Sequence, residues 1–154
     1  MSDLERLLAK YAAGPDRLRR SIVDVRPDDL DAVPCEGYWS IRQVICHLSD
    51  SDSVYADRIK RVLAEDNPTF FDADPNLFCE ALYWSERDID EELQLLTLTR
   101  RQILRILRNC PVETFQRTGV HSADGAMTLE TLVERIMEHI PHHIRFIEQK
   151  ISAL

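Results

Sequence analysis

The chain has 154 residues, 44% of them hydrophobic and 30% charged, with a net charge of -8. That balance, at the size of one ordinary domain, excludes a disordered or fibrous chain, and the acidic excess opposes nucleic-acid binding, which depends on neutralising phosphates. No apolar run approaches the roughly 20 residues that span a bilayer, and the opening Met-Ser-Asp-Leu-Glu-Arg lacks the pattern of a signal peptide, so the expectation is one cytoplasmic domain over residues 1–154 with no membrane partner.

In chain order, the first helix is expected from about Asp3 to Val25, where Leu4, Leu7, Leu8, Tyr11, Leu18, Ile22 and Val25 recur at helical intervals. Gly14 and Pro15 interrupt it, as a kink or as a restart with Pro15 in the first turn. A linker from Arg26 to Trp39, punctuated by Pro27, Pro34 and Gly37, leads to Ser40, which with Gln43 forms a capping box for a second helix running to about Glu65. Asp66 to Tyr83 reads as a long ordered connection with room for a helical turn, suited to a crossover between helices that are not antiparallel neighbours. The third helix starts near Ser85 or Asp88 and stops near Asn109, before Pro111. After a loop from Cys110 to Met127, Thr128 caps a fourth helix that runs nearly to the end.

Only four glycines occur, and no strand-type alternation is visible. The fold class is therefore all-α, a four-helix bundle with a long connection between helices 2 and 3 and no sheet beyond an incidental hairpin. The basic runs Arg17–Arg20 and Arg100–Arg108 alternate with leucine and isoleucine and read as solvated faces of amphipathic helices. Cys35, Cys46, Cys79 and Cys110 form no CxxC pair and read as reduced packing residues.

The five histidines carry the chemistry. On the fourth helix, at about 100° per residue, His143 falls inside the apolar arc and His139 at its edge, whereas His142 faces solvent. Histidines four apart share a helical face and can grip one metal ion, as in HExxH sites. Here Ile140 replaces the glutamate, which removes the general base of such proteases. The absence of Glu-x-x-His disfavours a di-iron carboxylate site. On the second helix His47 sits at the edge of the apolar arc just as His139 does, so the rings converge if the two helices pack side by side. Asp50 and Ser51 are candidates to bond a ligand imidazole, and His121, Glu138 and Asp50 are candidate acids or bases. Trp39 reads either as a pocket mouth or as a packing residue, and Pro141 either as a kink that tilts the rings or as neutral.

These motifs resemble the DinB-like superfamily, which includes thiol-dependent S-transferases and the mycothiol-dependent maleylpyruvate isomerase. The resemblance rests on Pro34, Gly37, Trp39 and Ser40 followed by His47-Leu48, on Arg117, Gly119, His121 and Gly125 before Thr128-Leu129, and on His139 with His143 in HIPHH, and it covers nearly the whole chain. It implies a metal held by His47, His139 and His143, zinc or nickel among the divalent ions, with water completing the shell.

Three neutral imidazoles leave an ion its charge and an open position, the pattern of catalytic zinc sites. The expected function is metal-dependent S-transfer with a low-molecular-weight thiol, or hydrolysis, acting on a small molecule. The alternatives are a non-catalytic metal-binding or stress-related module and a purely structural bundle. A homodimer through the arginine and leucine face of the third helix completes the expectations.

Overall fold

The computed structural model describes residues 1–33 and 38–154; Pro34, Cys35 and Gly37, named above, lie outside the described residues. Four long helices build the molecule: α1 (Asp3–Ser21), α2 (Ile41–Ala64), α4 (Ile89–Leu107) and α5 (Leu129–Ser152). Their starts are chemically specified. Ser2 and Ser40 each form a capping box, with Glu5 and Gln43, while Asp88 and Thr128 accept from backbone amides three residues on. No helix among the described residues is long and apolar enough to cross a membrane.

Two apolar clusters fill the bundle and reveal its direction. One joins Leu7, Leu8 and Tyr11 of α1, Ile59 and Val62 of α2, Ile103 and Leu107 of α4, and Leu132 and Val133 of α5. The other joins Leu18 of α1, Ile41 and Ile45 of α2, Leu93 and Leu96 of α4, and Ile140 and Ile147 of α5. Hence α1 and α5 run one way, and α2 and α4 both run the other. Two successive long helices that are parallel require the intervening chain to travel back along the bundle. Between Ala64 and Ile89 it does so through β1 (Thr69–Phe70), α3 (Pro75–Ala81, capped by Asp74) and a 3₁₀ turn at Trp84–Glu86.

A small sheet anchors this crossover. β2 (Thr118–His121) and β3 (Gly125–Thr128) form a hairpin, and β1 adds parallel to β2 with Phe70 opposite His121. The third strand goes beyond the hairpin expected from the chain's pattern, because strands of two and four residues are too short to show alternation. Gly119 makes the third strand possible, because a Cβ there would stand 2.3 Å from the Phe70 ring. Arg117, just before β2, donates to the carbonyls of Val62 and Glu65 and so closes the last turn of α2.

One expectation is corrected at the bundle centre. Arg100 is not on a solvated face: it is 1% exposed and pairs with the fully buried Asp52 through Nε–Oδ1 (2.6 Å) and Nη2–Oδ2 (3.1 Å). It also donates to the carbonyls of Tyr11 on α1 (3.0 Å) and Ile136 on α5 (2.7 Å). The reason lies in the Gly14-Pro15 pair, which does not restart α1 but sits within it. Pro15 has no N–H to offer the Tyr11 carbonyl one turn back, so that acceptor is left for Arg100. A Cβ on Gly14 would approach Arg100 Nη1 to 2.4 Å, so only glycine admits the guanidinium.

Candidate metal centre

His47 lies in the second turn of α2, on a helix set by Ser40, and His139 and His143 stack one turn apart on α5. The antiparallel packing of α2 against α5 brings the three rings together. His47 Nε2 is 3.0 Å from His139 Nε2, and His143 Nε2 is 3.2 Å from the same atom. The rings meet nearly edge to face, with centroids 4.7–4.9 Å apart. Imidazole nitrogens at the usual distance of about 2.0–2.1 Å from one ion stand about 3.0 Å apart at right-angle geometry and about 3.4 Å at tetrahedral geometry. Both separations fall in the range that one divalent ion requires, the ligand atoms of all three residues lie within 4.8 Å of one another, and His142, exposed beside Arg145, is not among them.

Burial keeps the donors in the right form. The His47 and His143 rings are pushed down to about 4 and His139 to about 3, in each case chiefly by desolvation. The neighbouring imidazoles and Arg100 lower His139 further. All three are therefore neutral near pH 7, as metal ligation needs.

The surroundings differ from ring to ring. Ser51 Oγ stands 3.5 Å from His47 Nδ1, and the edge of Trp39 packs on the His47 ring at 5.0 Å between centroids. Trp39 also packs against the α2 side of the core and lines a cavity of about 250 Å³ with Val44, His143 and Phe146, so it serves both as packing and as a wall. His139 Nδ1 is buried and meets no hydrogen-bond partner among the described residues, so on that side the ring is held by packing. Asp50, considered above as a partner of His47, instead pairs with Arg87 at 2.8 and 2.9 Å. Arg87 bridges onward to Glu92 of α4, which ties the end of the crossover to both helices; this link is not legible from spacing. Glu138 points outward and is exposed.

On the other side of His47 opens a cavity of about 240 Å³. The crossover supplies Asp72, Ala73, Pro75 and Phe78, the hairpin supplies His121, Ala123 and Asp124, and α2 supplies His47, Ser51, Val54 and Arg58. His121 is 5% exposed, and its Nδ1 accepts from the amides of Ala123 (3.2 Å) and Asp124 (3.1 Å). The proton of the neutral ring must then be on Nε2, which stands 3.8 Å from an Asp72 carboxylate oxygen. Two of the thiols, Cys46 and Cys79, are held in the protonated form. Burial pushes Cys46 up to about 12 and raises Cys79 as well.

Comparison with known proteins agrees with this architecture. A protein of Oceanobacillus iheyensis provisionally named a metal-dependent hydrolase is 28% identical over 133 residues, 86% of this chain and 77% of that one. One of the same description from Halalkalibacterium halodurans is 27% identical over 149 residues, 97% of this chain and 86% of that one. Among solved structures, YfiT from Bacillus subtilis, described as a probable metal-dependent hydrolase with an unusual four-helix bundle topology, superposes with a TM-score of 0.90 at 24% identity, covering 99% of this chain and 89% of that one. The mycothiol-dependent maleylpyruvate isomerase does so with a TM-score of 0.73 at 14% identity, covering 94% of this chain and 60% of that one. These two likenesses show the fold. The model of the DinB superfamily matches residues 10–147, and the chain belongs to that superfamily.

Proposed function

We propose that residues 1–154 act as one cytoplasmic domain that holds a single divalent metal ion, zinc or nickel, on His47, His139 and His143, and that it hydrolyses a small molecule or transfers a low-molecular-weight thiol to one. The observation that carries this reading is the convergence of three neutral Nε2 atoms beside a cavity built by the crossover and the hairpin. When bound, such an ion supplies a Lewis-acidic centre with an open position that lowers the pKa of a water or thiol placed there.

The chain's own groups account for the rest. Trp39 and Phe146 wall a mainly apolar cavity on the His143 side of the triad, and the more polar cavity beside His47, closed by the crossover and the hairpin, is the approach this reading gives a substrate. His121 presents Nε2–H at that cavity's wall and is placed to donate a hydrogen bond to an oxygen of the substrate or its leaving group. No cysteine of the described residues stands among the three ligands and the buried Cys46 and Cys79 stay protonated, which supports an outside thiol as the source of a transferred sulfur.

A second reading, a metal-binding or stress-related module without turnover, is favoured by one observation: Asp50, the carboxylate nearest in sequence to His47, lines the same cavity but has both oxygens bonded to Arg87. A homodimer paired through the outer face of α4, where Leu95, Leu98, Arg101 and Arg105 are exposed, belongs to either reading, and light scattering at micromolar concentration tests it. To separate the two readings, metal-loaded protein and its His143→Ala variant are incubated with a panel of cellular thiols plus an epoxide or haloarene, and with ester and amide substrates in water. Product formed by the wild type and not by the variant supports the enzyme. Equal background from both supports the module.

A further inference from the structure

The cavity beside His47 has a second, chemically distinct end. Along α2, His47, Ser51, Val54 and Arg58 fall within about 60° of one another on the helix, so they form one stripe. His47 and Arg58 are eleven residues apart, about 16 Å of helix rise, and the arginine stem leans back toward the helix N-terminus.

Arg58 is only 5% exposed, yet among the described residues no carboxylate forms an ion pair with it. One of its five N–H donors goes to the Phe71 carbonyl (2.7 Å), and its plane lies near the Tyr55 and Phe70 rings, at 5.0 and 6.0 Å. Arg100, more deeply buried still, is met by a bidentate carboxylate and two carbonyls. The acids around Arg58 each have a nearer partner, although its charge also helps hold Asp124 ionised. Asp50 is held by Arg87, Asp124 by Arg135 and Asp57 by Arg61, while Asp72 is largely exposed and faces His121. With one donor on the Phe71 carbonyl and no other hydrogen bond to the described residues, the guanidinium presents its remaining donors at the cavity wall, where they are matched to an anion from outside.

We propose that the Arg58 end of the cavity is an anion-recognition site, which binds the carboxylate or phosphate of a small elongated substrate whose other end reaches the three histidines. The assignment rests on reading this cavity as the substrate's site. It makes Arg58 a specificity determinant that touches the substrate away from the reacting atoms.

The test uses binding, not turnover. Wild type, Arg58→Gln and Arg58→Lys are loaded with zinc, their metal content is measured, and each is titrated by calorimetry with glutarate, inorganic phosphate and the neutral glutaramide. The titrations are repeated on metal-free protein. The expected result is that wild type binds glutarate or phosphate and not glutaramide, that Arg58→Gln weakens this by about ten-fold or more, and that Arg58→Lys falls between. Which of the two anions binds tells carboxylate from phosphate recognition. If Arg58→Gln does not fold, the drop in Arg58→Lys and a shift of the Arg58 side-chain N–H resonance on adding the anion carry the same decision. Equal affinity in wild type and variants, or no binding of either anion by wild type, overturns the proposal. Anion binding that vanishes with the metal and ignores Arg58 also overturns it while leaving the metal site standing. Arg58-dependent binding in protein that takes up no metal sinks the metal reading and not this one.

Discussion

His47 Nε2 and His139 Nε2 lie 3.0 Å apart although 92 positions separate them in the chain. Two imidazole nitrogens at that distance either share one proton or share one cation, and the third nitrogen, on His143, stands 3.2 Å from His139. In a neutral ring Nε2 is either one donor or one acceptor, so a single proton serves only one of the two contacts of His139 Nε2, and a second proton would place a charge inside the bundle.

A pH dependence follows for the metal-free protein. The three folded values, about 4, 3 and 4, lie below the ordinary 6.5, so between roughly pH 6.5 and 4 the unfolded chain binds more protons than the folded one. Stability from these groups is complete above pH 6.5 and is lost as the pH falls through the folded values. Urea midpoints measured with chelator present should drop across that window for wild type and drop less for a variant with all three histidines replaced by glutamine. Parallel declines would assign the effect to carboxylates.

At the bundle centre, Asp52→Ala leaves the buried Arg100 without its counter-charge and should cost about 3–5 kcal/mol. Gly14→Ala forces a methyl against the same guanidinium and should cost about 1–3 kcal/mol by overpacking. Chemical denaturation measures both. Wild-type stability in either variant would mean that Arg100 leaves its pocket at little cost.

Cysteine reactivity offers a third check. Cys46 is 1% exposed with a thiol pushed up to about 12, whereas Cys110 is only half-buried. Iodoacetamide at pH 8 followed by peptide mass spectrometry should modify Cys110 well before Cys46. Rapid labelling of Cys46 in folded protein would reopen the question of where a reactive sulfur comes from.

Much of this arrangement was legible in the sequence because helical periodicity and capping are local. Ser40 with Gln43 and Thr128 mark helix starts, and the hundred-degree step separates His143 from His142. What was hidden is set by pairing across the bundle. Asp52 finds Arg100 over 48 positions and Asp50 finds Arg87 over 37, and neither pairing leaves a periodic trace in the chain. The Arg100–Arg108 run reads as one solvated face because its first member is indistinguishable by spacing from its neighbours. Only the gap at Gly14 and the carbonyl left by Pro15 tell that Arg100 turns inward. The third strand, two residues long, likewise depends on Gly119 meeting Phe70.

The most direct test of the account is metal content per chain, measured by plasma mass spectrometry on wild type, His47→Ala, His143→Ala and His142→Ala after loading with zinc or nickel and exhaustive dialysis. Wild type and His142→Ala should retain one equivalent, and His47→Ala and His143→Ala close to none, because each loses one of three donors. No metal in wild type, or equal retention in all four proteins, would contradict a centre built from His47, His139 and His143.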